Sequence, residues 1–263
     1  IISLSKMNKR YYEFIKNLTW KYLLFFFDKV DLAAIPTKTG AEMYKERGFK
    51  TKIFPISNGL EIEKFTKNND EGYLQKKFNP DGKKVVLYAG RISKEKNLDV
   101  LIKAIPHVVK EIDTNFIIVG GGGEYKQSLV KLSKSLGVYD NLTFTGFLDW
   151  KDYPKIFSIA DIFALPAESE LQNIPTLEAA ASGLPVIVAD KGAPYELASN
   201  DNGFVFKHQD HKQLAEYIIR LLKEDKLRKK MGKKSIELAE KHSLHNVALE
   251  YERLYKMLLN GDF

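Results

Sequence analysis

The stretch Ile162–Ala189 reads IFALPAESELQNIPTLEAAASGLPVIVA and places short apolar runs on either side of a polar loop and an Ala-rich segment. Pro175 is typical of the first residues of a helix and Gly183 of the residue that ends one, so the pattern predicts strand, loop, helix and strand. This succession is the unit from which parallel α/β sheets are built. The free N–H groups at the start of such a helix attract phosphate.

Similar apolar runs occur on both sides of this stretch and alternate with amphipathic segments. Together they predict six parallel strands, at Val85–Ala89, Phe116–Val119, Leu142–Thr145, Ile162–Leu165, Val186–Ala189 and Gly203–Phe206. The sequence after the last strand is helical, over His211–Glu224, Leu227–Lys241 and Leu244–Leu259. The predicted fold class is therefore α/β: a doubly wound, Rossmann-like parallel sheet with a helical C-terminal extension. Ligands of such sheets bind beyond the carboxyl ends of the strands.

The N-terminal part of the chain has its own pattern. It predicts a helix at Met7–Asp28, a strand at Leu32–Pro36, a helix at Gly40–Gly48 and a strand at Lys52–Ile56. Because one or two βα units cannot cover themselves, we expect these elements to close another domain. The predicted division is 1–58 for these elements and a linker, 59–246 for the domain with the parallel sheet and 247–263 for a return helix. Residues 67–82 are predicted to form an exposed helix and loop.

The composition is that of an ordinary globular protein: 263 residues, 44% of them hydrophobic and 29% charged. The absence of Cys excludes disulfides and thiolate metal sites and suits a reducing compartment. No signal-peptide pattern opens the sequence, so the predicted location is the cytoplasm. The 41 Lys and Arg residues exceed the 34 Asp and Glu residues by 7, which predicts a partner with negative charge: a phosphorylated ligand, an anionic lipid surface or nucleic acid.

Two segments raise the question of membrane contact. The apolar run Tyr22–Phe27 lies between charged residues and is far shorter than the roughly 20 residues of a spanning helix. It is either a helix buried against the rest of a domain or an interfacial membrane helix. The basic run Lys226–Lys234 is either a solvated helix face or a surface for anionic lipid at the inner face of the membrane. No nucleic-acid motif accompanies it, so a nucleic-acid partner is not predicted.

Two carboxylates flank the predicted helix start in the quoted stretch. Glu178 is expected in the first turn, where the helix dipole stabilises a carboxylate that would itself repel a phosphate placed on it. Carboxylates are the usual acceptors for pairs of sugar hydroxyls, so Glu178 and Glu170 are candidates for two polyol groups of one ligand. The alternative is that Glu178 caps its helix and that Glu170 is solvated surface.

Basic and Gly-rich residues follow the first two strands of the sheet. Gly90 permits a tight turn, and Arg91 and Lys96 are either cations for a diphosphate or solvated loop residues. The four glycines at 120–123 permit close backbone approach, but they lack the spacing of a Walker loop or a dinucleotide fingerprint, so a flexible turn remains the alternative. A zinc site is not expected from two His pairs, His208 with His211 and His242 with His245. These are predicted surface residues near helix termini: His211 follows the expected N-cap Asp210, and His242 lies at a helix end, where a cation is favoured.

The combination of Gly-Arg and Lys-Asn after one strand, the glycine cluster, and Glu170 and Glu178 ahead of Gly183-Leu184-Pro185-Val186-Ile187 resembles the donor domain of the GT4 family of retaining glycosyltransferases, which have the GT-B fold. The resemblance spans about residues 58–206. It implies catalytic roles for Arg91 and Lys96 at the diphosphate of a nucleotide sugar and for Glu170 at the transferred sugar, with Glu178 on the ribose. It also implies further donor-binding residues: Gly90, Gly121, Phe147, Asn173, Ile174, Pro175 and Thr176.

The sequence departs from that family pattern at one place. Many relatives have an aromatic residue and Gly after the first Glu, whereas Leu171-Gln172-Asn173 follow Glu170 here. Asn tolerates the left-handed backbone conformation better than most residues. We therefore expect Asn173 to take over the backbone role of a glycine.

The resemblance implies transfer of a hexose from a nucleotide sugar, with UDP preferred, to a lipid or saccharide acceptor with retention of configuration. Its mechanism would be front-face displacement, with cations and a helix N-terminus stabilising the leaving diphosphate and with no metal or cofactor. Most of the acceptor-binding domain of such enzymes has no counterpart here, so we expect the chain to bind the donor but to transfer sugar poorly without that half. The alternative is a non-catalytic module that binds a nucleotide sugar or a protein partner.

Overall fold

A computed structural model describes residues 8–65 and 72–262 of the chain. These residues divide by their contacts into two compact units, Ile1–Ile56 and Ser57–Phe263. Parts of two predicted segments, Met7 and residues 67–71, lie outside the described residues.

The first unit has two helices and a two-stranded parallel sheet: α1 (Lys9–Phe27), β1 (Leu32–Ile35), α2 (Lys38–Glu46) and β2 (Lys52–Pro55). The boundaries agree with the predicted ones to within two residues and differ most at the helices, whose ends are set by caps rather than by periodicity. Asn8 begins α1 by accepting the backbone N–H of Arg10 at 3.0 Å. Thr37 caps α2 in the same way, accepting the N–H of Gly40 at 3.1 Å.

Helix α1 is apolar on two sides. Its inner side packs on the core of the first unit through Trp20, Leu23, Leu24 and Phe27. Its outer side exposes Tyr22, Phe25 and Phe26. The run Tyr22–Phe27 is thus partly buried in its own unit and partly exposed. None of the helices in the described ranges is both long and apolar enough to cross a membrane.

The second unit contains the six-stranded sheet and seven α-helices within the described residues. Its strands are β3 (Lys84–Ala89), β4 (Thr114–Val119), β5 (Leu142–Gly146), β6 (Ile162–Leu165), β7 (Val186–Ala189) and β8 (Gly203–Phe206). Its helices are α3 (Tyr73–Phe78), α4 (Leu98–Val109), α5 (Glu124–Ser135), α6 (Ile174–Ala181), α7 (His211–Lys223), α8 (Asp225–Lys241) and α9 (Leu244–Asn260). The prediction of an exposed segment before the sheet is wrong for Leu74 of α3, which is buried in the core.

All strands of this sheet are parallel, in the order β5-β4-β3-β6-β7-β8. The chain starts at β3, winds outward to β5 and returns on the other side of β3 with β6. The predicted doubly wound sheet and its helical extension are confirmed. Since the winding direction reverses between β3 and β6, the crevice beyond their carboxyl ends is the switch point where ligands bind in this architecture.

The basic run Lys226–Lys234 on α8 is not simply a solvated helix face. The Arg228 guanidinium contacts the Oδ1 atoms of Asp161 at 3.3 Å and Asp225 at 2.6 Å. Gly232 lies so close to Gly183 that an added Cβ would be 2.2 Å from the Gly183 carbonyl oxygen. Helix α8 packs on α6, and Met231 and Gly232 of the run are buried, whereas its lysines are exposed.

Of the histidines, His107 and His211 lie near each other, with 5.7 Å between their ring centroids. In residues 8–65 and 72–262, no group of three or more His, Asp and Glu side chains has the geometry of a metal site. His208 pairs with Asp190, with 3.0 Å between Nδ1 and Oδ1. The expectation that His242 is favoured as a cation is wrong: it lies at the end of α8, but burial lowers the pKa of its imidazole.

Candidate functional site

Two loops meet at the switch point of the sheet, one after each central strand. Gly90 and Arg91 follow β3, and residues 166–173 run from β6 to the start of α6. Because β3 and β6 are parallel neighbours, their carboxyl ends lie at the same edge. The sheet therefore brings together segments that are about 80 residues apart in the sequence.

Glycines allow the loops after β3 and β4 to touch. Gly90 has φ 146°, and the loop behind it is held by the buried Tyr88 hydroxyl, which donates to the Arg91 carbonyl at 2.9 Å. A Cβ on Gly120 would lie 1.9 Å from the Gly90 carbonyl oxygen. A Cβ on Gly121 would lie 2.1 Å from the Phe147 ring. The close approach expected of the glycine cluster is thus used by the protein's own loops.

Lys96, Glu170 and Asn173 form one polar cluster at this edge. The Lys96 Nζ lies 2.5 Å from Glu170 Oε1, and both side chains are largely buried. Asn173 Nδ2 donates to the same carboxylate oxygen at 2.9 Å. The alternatives of Lys96 as a solvated loop residue and Glu170 as solvated surface are therefore wrong. Both side chains are largely buried, and each neutralises the charge of the other.

Asn173 also begins helix α6. Its Oδ1 accepts the backbone N–H of Thr176 at 2.9 Å and the Thr176 hydroxyl at 2.8 Å, and Pro175 occupies the first turn. The expectation of a left-handed Asn173 is wrong: its φ is −98° and its ψ is 104°. Its side chain, rather than an unusual backbone, shapes the loop, as is typical of an N-cap.

Gln172 fills the place next to this cap. Its Oε1 accepts from the backbone N and the Nδ2 of Asn58, at 3.0 and 2.8 Å. Its Nε2 donates to the Ser57 hydroxyl at 2.8 Å. The departure from the family pattern therefore ties the loop after β6 to the start of the second unit.

Glu178 lies in the second turn of α6, and not in the first turn as predicted. It does not cap the helix; it is 8% exposed, and its Oε2 accepts a 2.5 Å hydrogen bond from the Tyr153 hydroxyl. Burial raises the pKa of Glu178 to about 7, although the Tyr153 hydrogen bond favours the charged form. The helix dipole was expected to stabilise this charge, but desolvation dominates.

A cavity of about 410 Å³ lies beside Glu178. Its walls come from the segment after Asn58, from the loop after β5 and from the start of α9. The residues that line it are Gly59, Leu60, Glu61, Lys64, Phe65, Trp150, Tyr153, Pro154, Glu178 and Leu244. Trp150 is 90% exposed at its rim, while the Tyr153 ring packs edge-on against Phe65 and Phe157. An aromatic wall next to a carboxylate suits a flat ring joined to a polyol.

Two predicted site residues stand apart from this cluster. The Arg91 side chain is 77% exposed, and its Nη2 lies 3.7 Å from Glu95 Oε1. The Phe147 side chain is exposed to solvent, although its ring lies close to Gly121. Of the remaining predicted residues, Gly90 follows β3, and Ile174, Pro175 and Thr176 form the first turn of α6.

Sequence reasoning missed Tyr153, Trp150 and Gln172. The signal for the first two was their position shortly after the strand that ends at Gly146, at the ligand-binding edge of the sheet. Nothing in the local sequence marks the contact of Tyr153 with Glu178, since the two residues are 25 positions apart.

The sheet order and the helix start at its switch point define a Rossmann-like α/β domain. A sequence model of the family described as glycosyl transferases group 1 matches residues 69–238, which is more than half of the chain. The chain belongs to this family of enzymes.

Individual relatives agree with the family assignment. The chain is 31% identical to the GDP-mannose-dependent alpha-(1-6)-phosphatidylinositol monomannoside mannosyltransferase of Mycobacterium tuberculosis over 57% of its own length and 41% of that protein. It is 32% identical to the alpha-monoglucosyldiacylglycerol synthase of Streptococcus pneumoniae over 66% of its length and 41% of that protein. The chain thus spans less than half the length of these curated relatives.

Solved structures share the fold. Sucrose-phosphate synthase from Thermosynechococcus elongatus superposes with a TM-score of 0.82 at 21% identity, over 93% of this chain and 62% of that one. The Anabaena protein HepE, solved with UDP and glucose, superposes with a TM-score of 0.78 at 22% identity, over 88% of this chain and 64% of that one.

Proposed function

We propose that the chain binds the donor of a glycosyltransferase that moves a hexose from a nucleotide sugar, with UDP preferred, to a lipid or saccharide acceptor with retention of configuration. The observation that carries the proposal is the convergence of Lys96, Glu170, Asn173 and Glu178 at the start of α6 and the switch point of the sheet. Membership of the family and the UDP complex of HepE support it.

The arrangement offers a separate place for each part of such a donor. The nucleoside would enter the cavity beside Glu178, whose carboxylate accepts hydrogen bonds from ribose hydroxyls. The diphosphate would lie over the start of α6, between Lys96 and Arg91. Glu170 and Asn173 would meet the sugar, and the loops that carry Gly90, Gly121 and Phe147 would border it.

The mechanism follows from these positions. The bond between the anomeric carbon and the diphosphate oxygen breaks while the acceptor oxygen bonds to the same face, and the acceptor proton passes to the leaving diphosphate. Arg91, Lys96 and the α6 N-terminus stabilise the negative charge that develops on this leaving group. In this proposal the positive charge comes from the protein, so no divalent metal or other cofactor is required.

The acceptor proposal rests on surface chemistry and on the relatives. The relatives named above are a phosphatidylinositol monomannoside mannosyltransferase and an alpha-monoglucosyldiacylglycerol synthase. The outer side of α1 exposes Tyr22, Phe25 and Phe26 between Lys21 and Lys29. Aromatic and basic side chains together suit the surface of an anionic membrane. We therefore propose a cytoplasmic protein that contacts the inner membrane face.

Calorimetric titration tests the donor site, using UDP, GDP and ADP in EDTA with wild type, Arg91→Ala and Lys94→Ala. Lys94 is the matched control, because it is an exposed cation in the same loop. We expect one nucleotide to bind, and Arg91→Ala to weaken it about tenfold or more, the scale of a lost charge-assisted hydrogen bond. Binding of none of the three nucleotides, or equal losses in the two variants, would overturn the proposal.

A further inference from the structure

We propose that Tyr153 is a positioning residue for the nucleotide: its hydroxyl holds one oxygen of Glu178 so that the other oxygen accepts a ribose hydroxyl. This inference rests on the proposed function and deepens it. It concerns a residue that lies outside the Gly-Arg, Lys and paired-Glu pattern of the site.

The geometry divides the Glu178 carboxylate between two tasks. Oε2 accepts the Tyr153 hydroxyl at 2.5 Å. Among the described residues, no side chain or backbone group pairs with Oε1, and Glu178 lines the cavity. An unpaired carboxylate oxygen at a cavity wall can accept a hydrogen bond from a ligand, and ribose hydroxyls can donate one.

The Tyr153 ring is fixed independently of its hydroxyl. Its centroid lies 5.5 Å from that of Phe157 and 6.4 Å from that of Phe65, both in edge-on contact. A Phe at this position would keep these contacts and lose only the hydrogen bond. The effect of the hydroxyl on the ligand can therefore be measured apart from the packing of the ring.

The surrounding charges leave Tyr153 as the main polar influence on Glu178. Glu61 and Lys64 also line the cavity; they pair with each other at 2.8 Å and are exposed. Burial and the Glu178 carboxylate raise the pKa of Tyr153, and Tyr88 adds a smaller contribution in the same direction. Burial raises the pKa of Glu178 to about 7, and the Tyr153 hydrogen bond opposes that rise.

The sign of the pH effect follows. A ribose hydroxyl donates to the ionised carboxylate, so protonation of Glu178 lowers the affinity for the nucleotide as the pH falls through about 7. Removal of the Tyr153 hydroxyl raises the Glu178 pKa further, so the loss of affinity begins at a higher pH. A residue that only stabilised the fold would leave this midpoint unchanged.

The experiment measures the affinity for UDP-glucose from about pH 5.5 to about pH 8 in wild type, Tyr153→Phe, Glu178→Gln and the exposed control Tyr255→Phe. GDP-mannose replaces UDP-glucose if GDP is the diphosphate that binds. Both are diphosphate diesters without an ionisation in this range. Thermal unfolding of each variant shows that it is folded.

In wild type and Tyr255→Phe we expect binding to weaken about tenfold from pH 8 to pH 6, as one protonation requires. In Tyr153→Phe the midpoint should move up by about half a pH unit or more, and in Glu178→Gln the pH dependence should disappear. Nucleotide binding with an unchanged midpoint in Tyr153→Phe overturns this inference alone. Failure of wild type to bind any nucleotide sugar overturns the proposed function with it.

Discussion

Replacing Glu178 by Gln should stabilise the chain at neutral and alkaline pH. The carboxyl is buried and its pKa is raised from 4.5 to about 7. An amide of the same shape can still accept the Tyr153 hydroxyl but carries no charge to desolvate. The variant therefore removes the cost of a buried ionised group while it keeps the hydrogen bond.

The magnitude follows from proton linkage. Below about pH 4.5 Glu178 is protonated in both the folded and unfolded chain, so it contributes no penalty. As the pH rises from about 4.5 to about 7, the unfolded chain loses this proton before the folded one does, and folding stability falls. A shift of about 2.5 pKa units corresponds to about 3 kcal/mol once the pH exceeds 7. Most of that difference, about 2 kcal/mol or more, should develop between pH 5 and pH 8.

Urea unfolding at pH 5 and pH 8, followed by circular dichroism, measures this difference in wild type and Glu178→Gln. Glu216→Gln is the matched control, because Glu216 is exposed on α7 in the same unit. The gain in unfolding free energy should be larger at pH 8 for Glu178→Gln and the same at both pH values for Glu216→Gln. An equal effect of Glu178→Gln at the two pH values would refute the argument that burial controls this carboxyl.

Two further substitutions test how the site is held together. Lys96→Met leaves the Glu170 carboxylate buried without its cation and should lower the free energy of unfolding in urea by about 3 kcal/mol. Adding Glu170→Gln to this variant should restore at least about 1 kcal/mol, and additive losses would contradict the ion pair. Gly120→Ala brings a Cβ to within 1.9 Å of the Gly90 carbonyl oxygen at φ 138°, and Gly123→Ala meets nothing within 4 Å. The midpoint temperature of thermal unfolding should fall much more in Gly120→Ala than in Gly123→Ala. Equal decreases would argue against the contact between the loops after β3 and β4.

The predictable part of the fold is carried by local patterns. The strands at Ile162–Leu165, Val186–Ala189 and Gly203–Phe206 have the bounds that the sequence predicts. Buried parallel strands are short apolar runs between Gly, Pro and polar residues, so each strand can be recognised from its own local sequence. Helix boundaries were less accurate because side-chain caps decide them: α6 starts at Ile174, one residue before the expected Pro175, since Asn173 caps it.

The environment of the candidate residues could not be read in the same way. Lys96 and Arg91 are both loop cations in the sequence, yet Lys96 is buried against Glu170 and Arg91 is exposed. The difference in burial between Lys96 and Arg91 depends on the loop after β6, which is distant in the sequence. The dipole of its helix predicts a stabilised Glu178 charge, whereas burial, which the local sequence does not show, raises the pKa of this carboxyl.

Local sequence patterns thus specified the α/β class, the six strands, and the glutamates and loops of the candidate site, because periodicity, turn residues and residue type are local properties. The tertiary structure decided which of these groups meet. The order of the sheet placed β3 beside β6, and this brought Lys96 to Glu170 and opened a cavity between Tyr153 and the segment after Asn58. Burial, pairing and pKa depend on neighbours in space, and those neighbours exist only once the sheet has formed.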